Sequence, residues 1–291
     1  MNRFTALLVA LALALLSGGA ALIFTAGERL TRPATRSIGE PPADFAARTV
    51  RIAVGPDQFV AGWFATDPAA RGAVLLLHGV RADRTQMLAR ARFLLQAGYS
   101  TLLIDLPAHG ESSGERITFG ANEAAGVTAA VSFLRHKLPG ERLGIIGVSL
   151  GAAAIVLARL DPAPDAVVLE SMYPTIEEAL SNRLGMRLGS PGAALAPLLL
   201  WQLPARTGVN AGQLRPIERL SHLGAPVMVA TGADDRHTTW AETERLFGVA
   251  QEPKELWRIA DAAHVDLHAH RPQEYQRRVL QFMARYVRGE R

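Results

Sequence analysis

The chain has 291 residues, no cysteine, 49% apolar and 20% charged residues and a net charge of +4. That length and balance describe one large globular domain, or one domain with an insertion, and exclude a disordered chain, while the missing cysteine excludes disulfides, thiolate metal sites and a cysteine nucleophile. The cations are nearly all Arg and are scattered, so no basic stripe marks a nucleic-acid surface and no nucleic-acid partner is expected.

Arg3 precedes an uncharged stretch, Phe4 to Gly27, dense in Leu and Ala. A helix that spans a bilayer needs about 20 apolar residues, so residues 1–27 predict an N-terminal membrane anchor and a single-pass membrane protein. Ser17, Gly18, Gly19 and Ala20 supply the small residues of a cleavage site, which leaves export after signal cleavage as the alternative. Arg3 favours an inside N-terminus and Arg29, Arg32 and Arg36 favour the reverse, so the orientation stays open. Residues 28–47 carry Pro33, Pro41 and Pro42 and read as a linker to a folded domain at 48–291.

Val50, Ile52 and Val54 alternate with polar neighbours, as do Phe59, Ala61 and Trp63, with Gly55-Pro56-Asp57 between them: a strand, a turn and a strand. Short continuous apolar runs follow at Ala73–Leu77, Ser100–Ile104, Leu143–Val148, Ala166–Leu169 and Val227–Ala230, with a weaker one at Lys254–Ile259. Such runs suit strands covered on both faces of a parallel sheet. Helical spacing appears between them, at 84–96, 120–136, 150–159, 240–247 and 273–287. Alternation of strand and helix predicts an α/β fold with a mainly parallel sheet and helices on both faces, whose ligand site lies at the carboxyl ends of the strands. Residues 174–214 break the rhythm and are expected to form a small helical cap inserted above those ends; ordinary crossover helices are the alternative.

Leu143-Gly-Ile-Ile-Gly147-Val-Ser149-Leu-Gly151 is an apolar strand, then Gly-x-Ser-x-Gly, then an Ala-rich helix. In that setting the serine sits on a sharp turn with its hydroxyl exposed above the sheet, and the glycines permit close backbone approach. The competing reading of Ser149 is a simple helix N-cap. A serine hydroxyl needs a base, and the base needs a carboxylate to orient it. Two late segments provide them: Gly232-Ala-Asp234-Asp235 after the run at 227–230, and Asp261-Ala-Ala-His264 after the run at 254–259.

These motifs resemble the α/β-hydrolase superfamily over roughly Val50 to the C-terminus. Within it, the nearest branches are membrane-anchored esterase- or lipase-like and serine aminopeptidase-like hydrolases. The resemblance implies a catalytic triad of Ser149, Asp235 and His264, with Asp234 as the other candidate acid; Asp261 stands where the family usually has glycine. His78-Gly79-Val80 implies an oxyanion hole of backbone N–H groups from Val80 and Leu150, with His78 itself structural. Asp105-Leu-Pro107-Ala108-His109-Gly110 resembles a family loop in which Pro107-Ala108 replaces the common Arg-Gly pair, and its Asp105 and His109 are expected to brace the loop. Glu170-Ser171-Met172-Tyr173 is expected to face the site without taking part in the chemistry.

Asp266, His268 and His270 beside His264 would gather as metal ligands only on an extended segment. A loop entering a helix leaves His268 and His270 on the surface, so neither metal nor cofactor is expected. The implied function is a serine hydrolase that cleaves an ester or thioester with an apolar acyl group through an acyl-enzyme, its partners a small-molecule or lipid-like ester and the membrane. A serine peptidase on the same fold and a non-catalytic membrane-anchored binding protein are the alternatives, and oligomeric state is not addressed.

Overall fold

A computed structural model describes residues 3–66 and 69–290. It begins with helix α1 (Arg3–Thr31), long and apolar enough to cross a membrane, with a mean hydropathy of 2.5 in its most apolar window. Among the described residues the body is built on one eight-stranded sheet: β1 (Arg48–Gly55), β2 (Gln58–Ala65), β3 (Ala73–Leu77), β4 (Ser100–Ile104), β5 (Leu143–Val148), β6 (Ala166–Glu170), β7 (Val227–Gly232) and β8 (Lys254–Ile259). Their spatial order is β8-β7-β6-β5-β3-β4-β2-β1. Only the pairs that involve β2 are antiparallel, so the sheet is mainly parallel, as the alternation of apolar runs and helical spacing requires.

The helices between strands are α2 (Leu88–Gln96), α3 (Ala121–Lys137), α4 (Leu150–Leu157), α5 (Ile176–Ala193), α6 (Ala196–Leu200), α7 (Leu203–Thr207), α8 (Ile217–Leu220) and α9 (Trp240–Val249), followed by α10 (Leu267–His270) and α11 (Pro272–Met283). Strand periodicity sorts the core into two layers. In β3, Ala73, Leu75 and Leu77 point to the face covered by α3, α4 and α9. Val74 and Leu76 point to the face covered by α2 and α11. Every residue of β3, β4, β5, β6 and β7 is buried, which explains their largely apolar sequences. β8 lies at the sheet edge and is only partly buried, hence its weaker signal.

The expected linker is not free. Residues 28–31 continue α1, and Ala34–Thr35 pair in parallel with His109–Gly110. Ala34 N–H donates to Ala108 O at 2.8 Å and Arg36 N–H to Gly110 O at 2.9 Å. Proline spacing could not reveal this, because the pairing partner lies some seventy residues away. The Asp105 loop is held from within: Asp105 accepts from Arg84 Nη1 at 2.7 Å and from Glu111 N–H at 2.9 Å. His109 Nδ1 donates to Pro107 O at 2.9 Å.

One buried ion pair ties the two halves of the sheet to the loops above them. Arg90 of α2 has a fully buried side chain; its Nη2 donates to Glu170 Oε2 at 2.7 Å and reaches Asp266 Oδ1 at 2.9 Å. Arg90 Nε donates to the Tyr275 hydroxyl of α11 at 3.0 Å, and that hydroxyl donates to Glu170 Oε1. Removing one partner of such a pair leaves a desolvated charge. Arg90→Met is therefore expected to lower unfolding free energy by about 3–5 kcal/mol, a loss that urea unfolding followed by far-UV circular dichroism would register; a loss below about 1 kcal/mol would mean that water already screens the pair.

Candidate active site

β5 ends at Val148 and α4 begins at Leu150, so Ser149 alone makes the turn. Its backbone sits at φ 50°, ψ −103°, a conformation costly for any residue with a Cβ. The neighbouring strand β6 and the helix α4 hold it there: Ser149 N–H donates to Glu170 O at 2.7 Å, and Ser149 O accepts from Ala153 N–H at 3.0 Å. The flanking glycines are steric necessities. A Cβ on Gly147 would lie 2.6 Å from Ala152 N, and one on Gly151 would lie 2.6 Å from Leu77 O. The serine hydroxyl makes no capping bond to α4, which removes the N-cap reading.

The other two predicted residues meet each other in the loops after β7 and β8. β7 turns at Gly232 beneath the loop after β8, where a Cβ would lie 2.2 Å from Ala262 O. The two loops are laced by Ala233 N–H to Ile259 O at 2.7 Å and Asp234 N–H to Ala262 O at 2.9 Å. Asp234 faces solvent, and Asp235 is buried. One Asp235 oxygen, Oδ1, accepts from the N–H groups of His237 at 2.8 Å and Thr238 at 2.9 Å. The other, Oδ2, lies 2.7 Å from His264 Nδ1. Burial alone would raise the Asp235 carboxyl; the hydrogen bond and charge of His264 and the two backbone N–H groups outweigh it, so the group lies below the usual range and is ionised. An ionised carboxylate only accepts, so His264 carries its proton on Nδ1 and leaves Nε2 free to act as an acceptor. Among the described residues no hydrogen bond joins His264 to Ser149; the strand ends bring them to the same edge of the sheet, because β5, β6, β7 and β8 are successive neighbours. Asp261, in the glycine position of the resemblance, adopts φ 58°, which is why glycine suits it; aspartate is among the residues that tolerate this conformation.

The loop after β3 is fixed by His78. Leu106 N–H donates to His78 Nε2 at 2.9 Å, so the ring proton is on Nδ1 and donates to Gly79 O at 2.7 Å. Burial above all, with the neighbouring His109, pushes His78 down to about 3, so it stays neutral. Gly79 N–H is taken by Gln86 Oε1 at 2.8 Å. Val80 follows, partly buried against the core. A Cβ on Gly151 would sit 2.8 Å from His78 O, which shows how closely this loop approaches the start of α4 and Leu150. Leu150 is the first residue of α4, so the helix gives its N–H no partner.

Several expectations change. The Glu170 side chain does not face the site: it turns into the Arg90 pair, and only its carbonyl touches the serine. His268 is not a surface residue but is stacked on Phe93 at 5.4 Å and set edge-on to Tyr275 at 5.2 Å. Asp266 caps α10 by accepting from Ala269 N–H at 3.1 Å and binds Arg90, while His270 reaches Ala260 O at 3.3 Å. Those side chains diverge, and among the described residues no group of three His, Cys, Asp or Glu is placed to hold a metal. Sequence reasoning missed His237, whose ring lies 4.7 Å from that of His264; its only signal was a position two residues beyond the acid.

Residues 74–278 match the Alpha/beta hydrolase family. The chain belongs to that family. It is 26% identical over 214 residues to the uncharacterized protein YqkD of Bacillus subtilis, covering 72% of this chain and 70% of that protein. It is 29% identical over 225 residues to the uncharacterized protein Rv2307c of Mycobacterium tuberculosis, covering 76% and 73%. Among solved structures it superposes on the esterase Pf2001 of Pyrococcus furiosus with a TM-score of 0.73 at 23% identity, covering 89% of this chain and 98% of that one. A membrane phospholipase A described as a bacterial virulence factor gives a TM-score of 0.60 at 18% identity, covering 97% and 98%. At these identities the structural likeness is one of fold.

Two measurements follow from the geometry. Ser149→Gly is expected to be more stable than Ser149→Ala by about 1 kcal/mol, because glycine relieves the strained turn and alanine does not, less the entropy glycine costs in the unfolded chain; equal denaturation midpoints would show the turn to be unstrained. His78 has a folded pKa below its unfolded value, so its stabilising contribution is complete above about pH 6.5 and is lost as pH falls from there toward the folded value of about 3. Stability measured against pH should therefore slope downward over that window, and the slope should shrink in His78→Gln.

Proposed function

We propose that this chain is a serine hydrolase of esters, with Ser149 as nucleophile, His264 as general base and acid, and Asp235 as the group that orients and charges the imidazole. The observation that carries the reading is the 2.7 Å contact of His264 Nδ1 with buried Asp235, together with a serine held at φ 50° between β5 and α4 whose hydroxyl does not cap the helix. Backbone strain of this kind clusters at functional sites. Two structural relatives, an esterase and a phospholipase A, support an ester substrate.

In the proposed reaction His264 Nε2 takes the Ser149 proton as Oγ attacks the ester carbonyl. The N–H groups of Val80 and Leu150 receive the oxyanion; losing one such donor typically costs about 10²–10³ in rate. The tetrahedral intermediate collapses, the C–O bond to the alcohol breaks, and His264 gives the leaving oxygen its proton. Water then attacks the acyl-serine with His264 again as base, releasing acid and restoring Ser149. The ion pair that forms between imidazolium and Asp235 is stabilised because the carboxylate is buried and already accepts two backbone N–H groups.

Further parts of the reading are that α1 anchors the enzyme in a membrane, that residues 174–214 act as a cap over the strand ends, and that the acyl group is apolar. Hydrolysis of p-nitrophenyl esters of graded length tests the activity. Ser149→Ala should lower turnover by about 10⁴-fold or more and abolish labelling by a fluorophosphonate, with folding unchanged. Labelling that persists in Ser149→Ala, or no turnover and no labelling of the unaltered chain, would overturn the proposal.

A further inference from the structure

Among the described residues, large apolar side chains left in solvent are concentrated in two places. One is α1; the other is a stretch of α5, α6 and the residue after α6, namely Met186, Leu188, Leu195, Leu198 and Trp201, the last 82% exposed. The two places touch. α6 and α7 both pack on α1. Gln202 Nε2 donates to Ile23 O at 3.1 Å and Arg206 Nη2 to Phe24 O at 2.8 Å. Arg206 lies over the Phe24 ring at 4.3 Å and pairs with Glu28 at 2.5 Å. A Cβ on Gly27 would lie 2.6 Å from Gln202 Oε1.

The level of that contact fixes what the apolar face meets. From Phe4 to Gly27 α1 carries only uncharged residues, about 36 Å of helix at about 1.5 Å per residue; counted from Phe4, the roughly 30 Å hydrocarbon core of a bilayer is filled after about 20 residues. The span therefore ends where Ile23 and Phe24 meet Gln202 and Arg206. α5 breaks at Gly189 (φ 69°) ahead of Pro191, and the chain beyond the break enters α6, which lies against α1. Charge agrees. Residues 179–217 contain Arg183, Arg187, Arg206 and Arg215 and no Asp or Glu, and Arg29 and Arg32 are exposed at the foot of α1. Apolar side chains edged by arginine, with a tryptophan at the boundary, are what a surface resting in anionic lipid headgroups requires.

We infer that the face formed by Met186, Leu188, Leu195, Leu198 and Trp201 rests in the headgroup region of the bilayer that α1 spans, so that the site takes its ester from the lipids of that leaflet. This rests on the proposed anchor and on the proposed ester hydrolysis. It goes beyond them in assigning a membrane-docking surface and a substrate class, lipid esters that do not leave the membrane.

The test uses the full chain carrying Ser149→Ala, reconstituted in vesicles of phosphatidylcholine and phosphatidylglycerol with bromine near the top of the acyl chains. Trp63 and Trp257 are buried, so the difference in emission between this protein and the same protein with Trp201→Phe isolates Trp201 from the four tryptophans. The inference expects bromolipid to quench most of that difference. Emission untouched by bromolipid but quenched by aqueous acrylamide would overturn it. Emission shielded from both would overturn it in favour of a second copy or another protein on this face. In the chain with an intact serine, Leu198→Glu with Trp201→Glu should slow turnover of a long-chain ester in vesicles by about tenfold, roughly 1.4 kcal/mol, and leave a short soluble ester unchanged; equal loss on both substrates would mark the face as merely structural. The arms separate the readings. Release of the protein by alkaline carbonate sinks the anchor and this inference together, whereas absence of any ester turnover sinks the activity and leaves the quenching result to decide the docking face.

Discussion

The buried charge of Arg90 is the constraint on which the geometry of this molecule depends. A guanidinium with no exposed surface is tolerable only if every part of its fork finds an acceptor. Satisfying it brings together four elements: α2, which carries Arg90; the end of β6, which supplies Glu170; the entry to α10, which supplies Asp266; and α11, which supplies Tyr275. Two of these bear directly on the site. The carbonyl of Glu170 receives the Ser149 N–H, and Asp266 lies two residues beyond His264. One cation thus sets the height of the serine turn relative to the histidine loop, although it touches neither side chain.

The parallel sheet supplies the rest of the alignment. In a parallel ladder the strands end together, and here β5, β6, β7 and β8 are consecutive neighbours. Ser149, Asp235 and His264 each follow one of these strands, so residues separated by up to 115 positions are delivered to one edge without any long-range search by flexible loops. The turns are then made rigid by contacts that only glycine permits at Gly147, Gly151 and Gly232. Leu150, at the first position of α4, keeps a peptide N–H without an intrahelical partner next to Ser149.

What was legible in the sequence followed from local physics. The runs at 73–77, 100–104 and 143–148 coincide with strands, because burial on both faces favours apolar residues and imposes that pattern directly, while the edge strand at 254–259 gives a weaker pattern. The choice of Asp235 over Asp234 comes from the Gly-x-x-Asp turn of the family resemblance rather than from local physics; the structure buries Asp235 and exposes Asp234. What the sequence hid was long-range. Arg90 and Glu170 are eighty positions apart, and nothing in the neighbourhood of either announces a partner. The proline-rich segment after α1 reads as a tether, since composition cannot show that Ala34–Thr35 find a partner at His109–Gly110. His268 reads as a surface residue on a helix, and becomes a buried ring only because Phe93 and Tyr275 arrive from α2 and α11.

The same segment after α1 gives the N-terminus a consequence for the site. Arg81 directly follows Val80, and its guanidinium donates to the carbonyls of Arg29, Leu30 and Arg32 at the end of α1. In return Arg36 Nη2 donates to Arg81 O at 2.7 Å and pairs with Asp83 at 3.2 Å. A cation on helix C-terminal carbonyls is favourable, since those groups carry the negative end of the helix dipole. The loop that holds Val80 is therefore braced from below by His78 and from above by the end of α1. Arg206, through Phe24 and Glu28, binds that same helix end to α7. The apolar helix, the loop after β3 and the helices between β6 and β7 are thus joined in one continuous structure, so any force that orients α1 is transmitted to the loop that holds Val80.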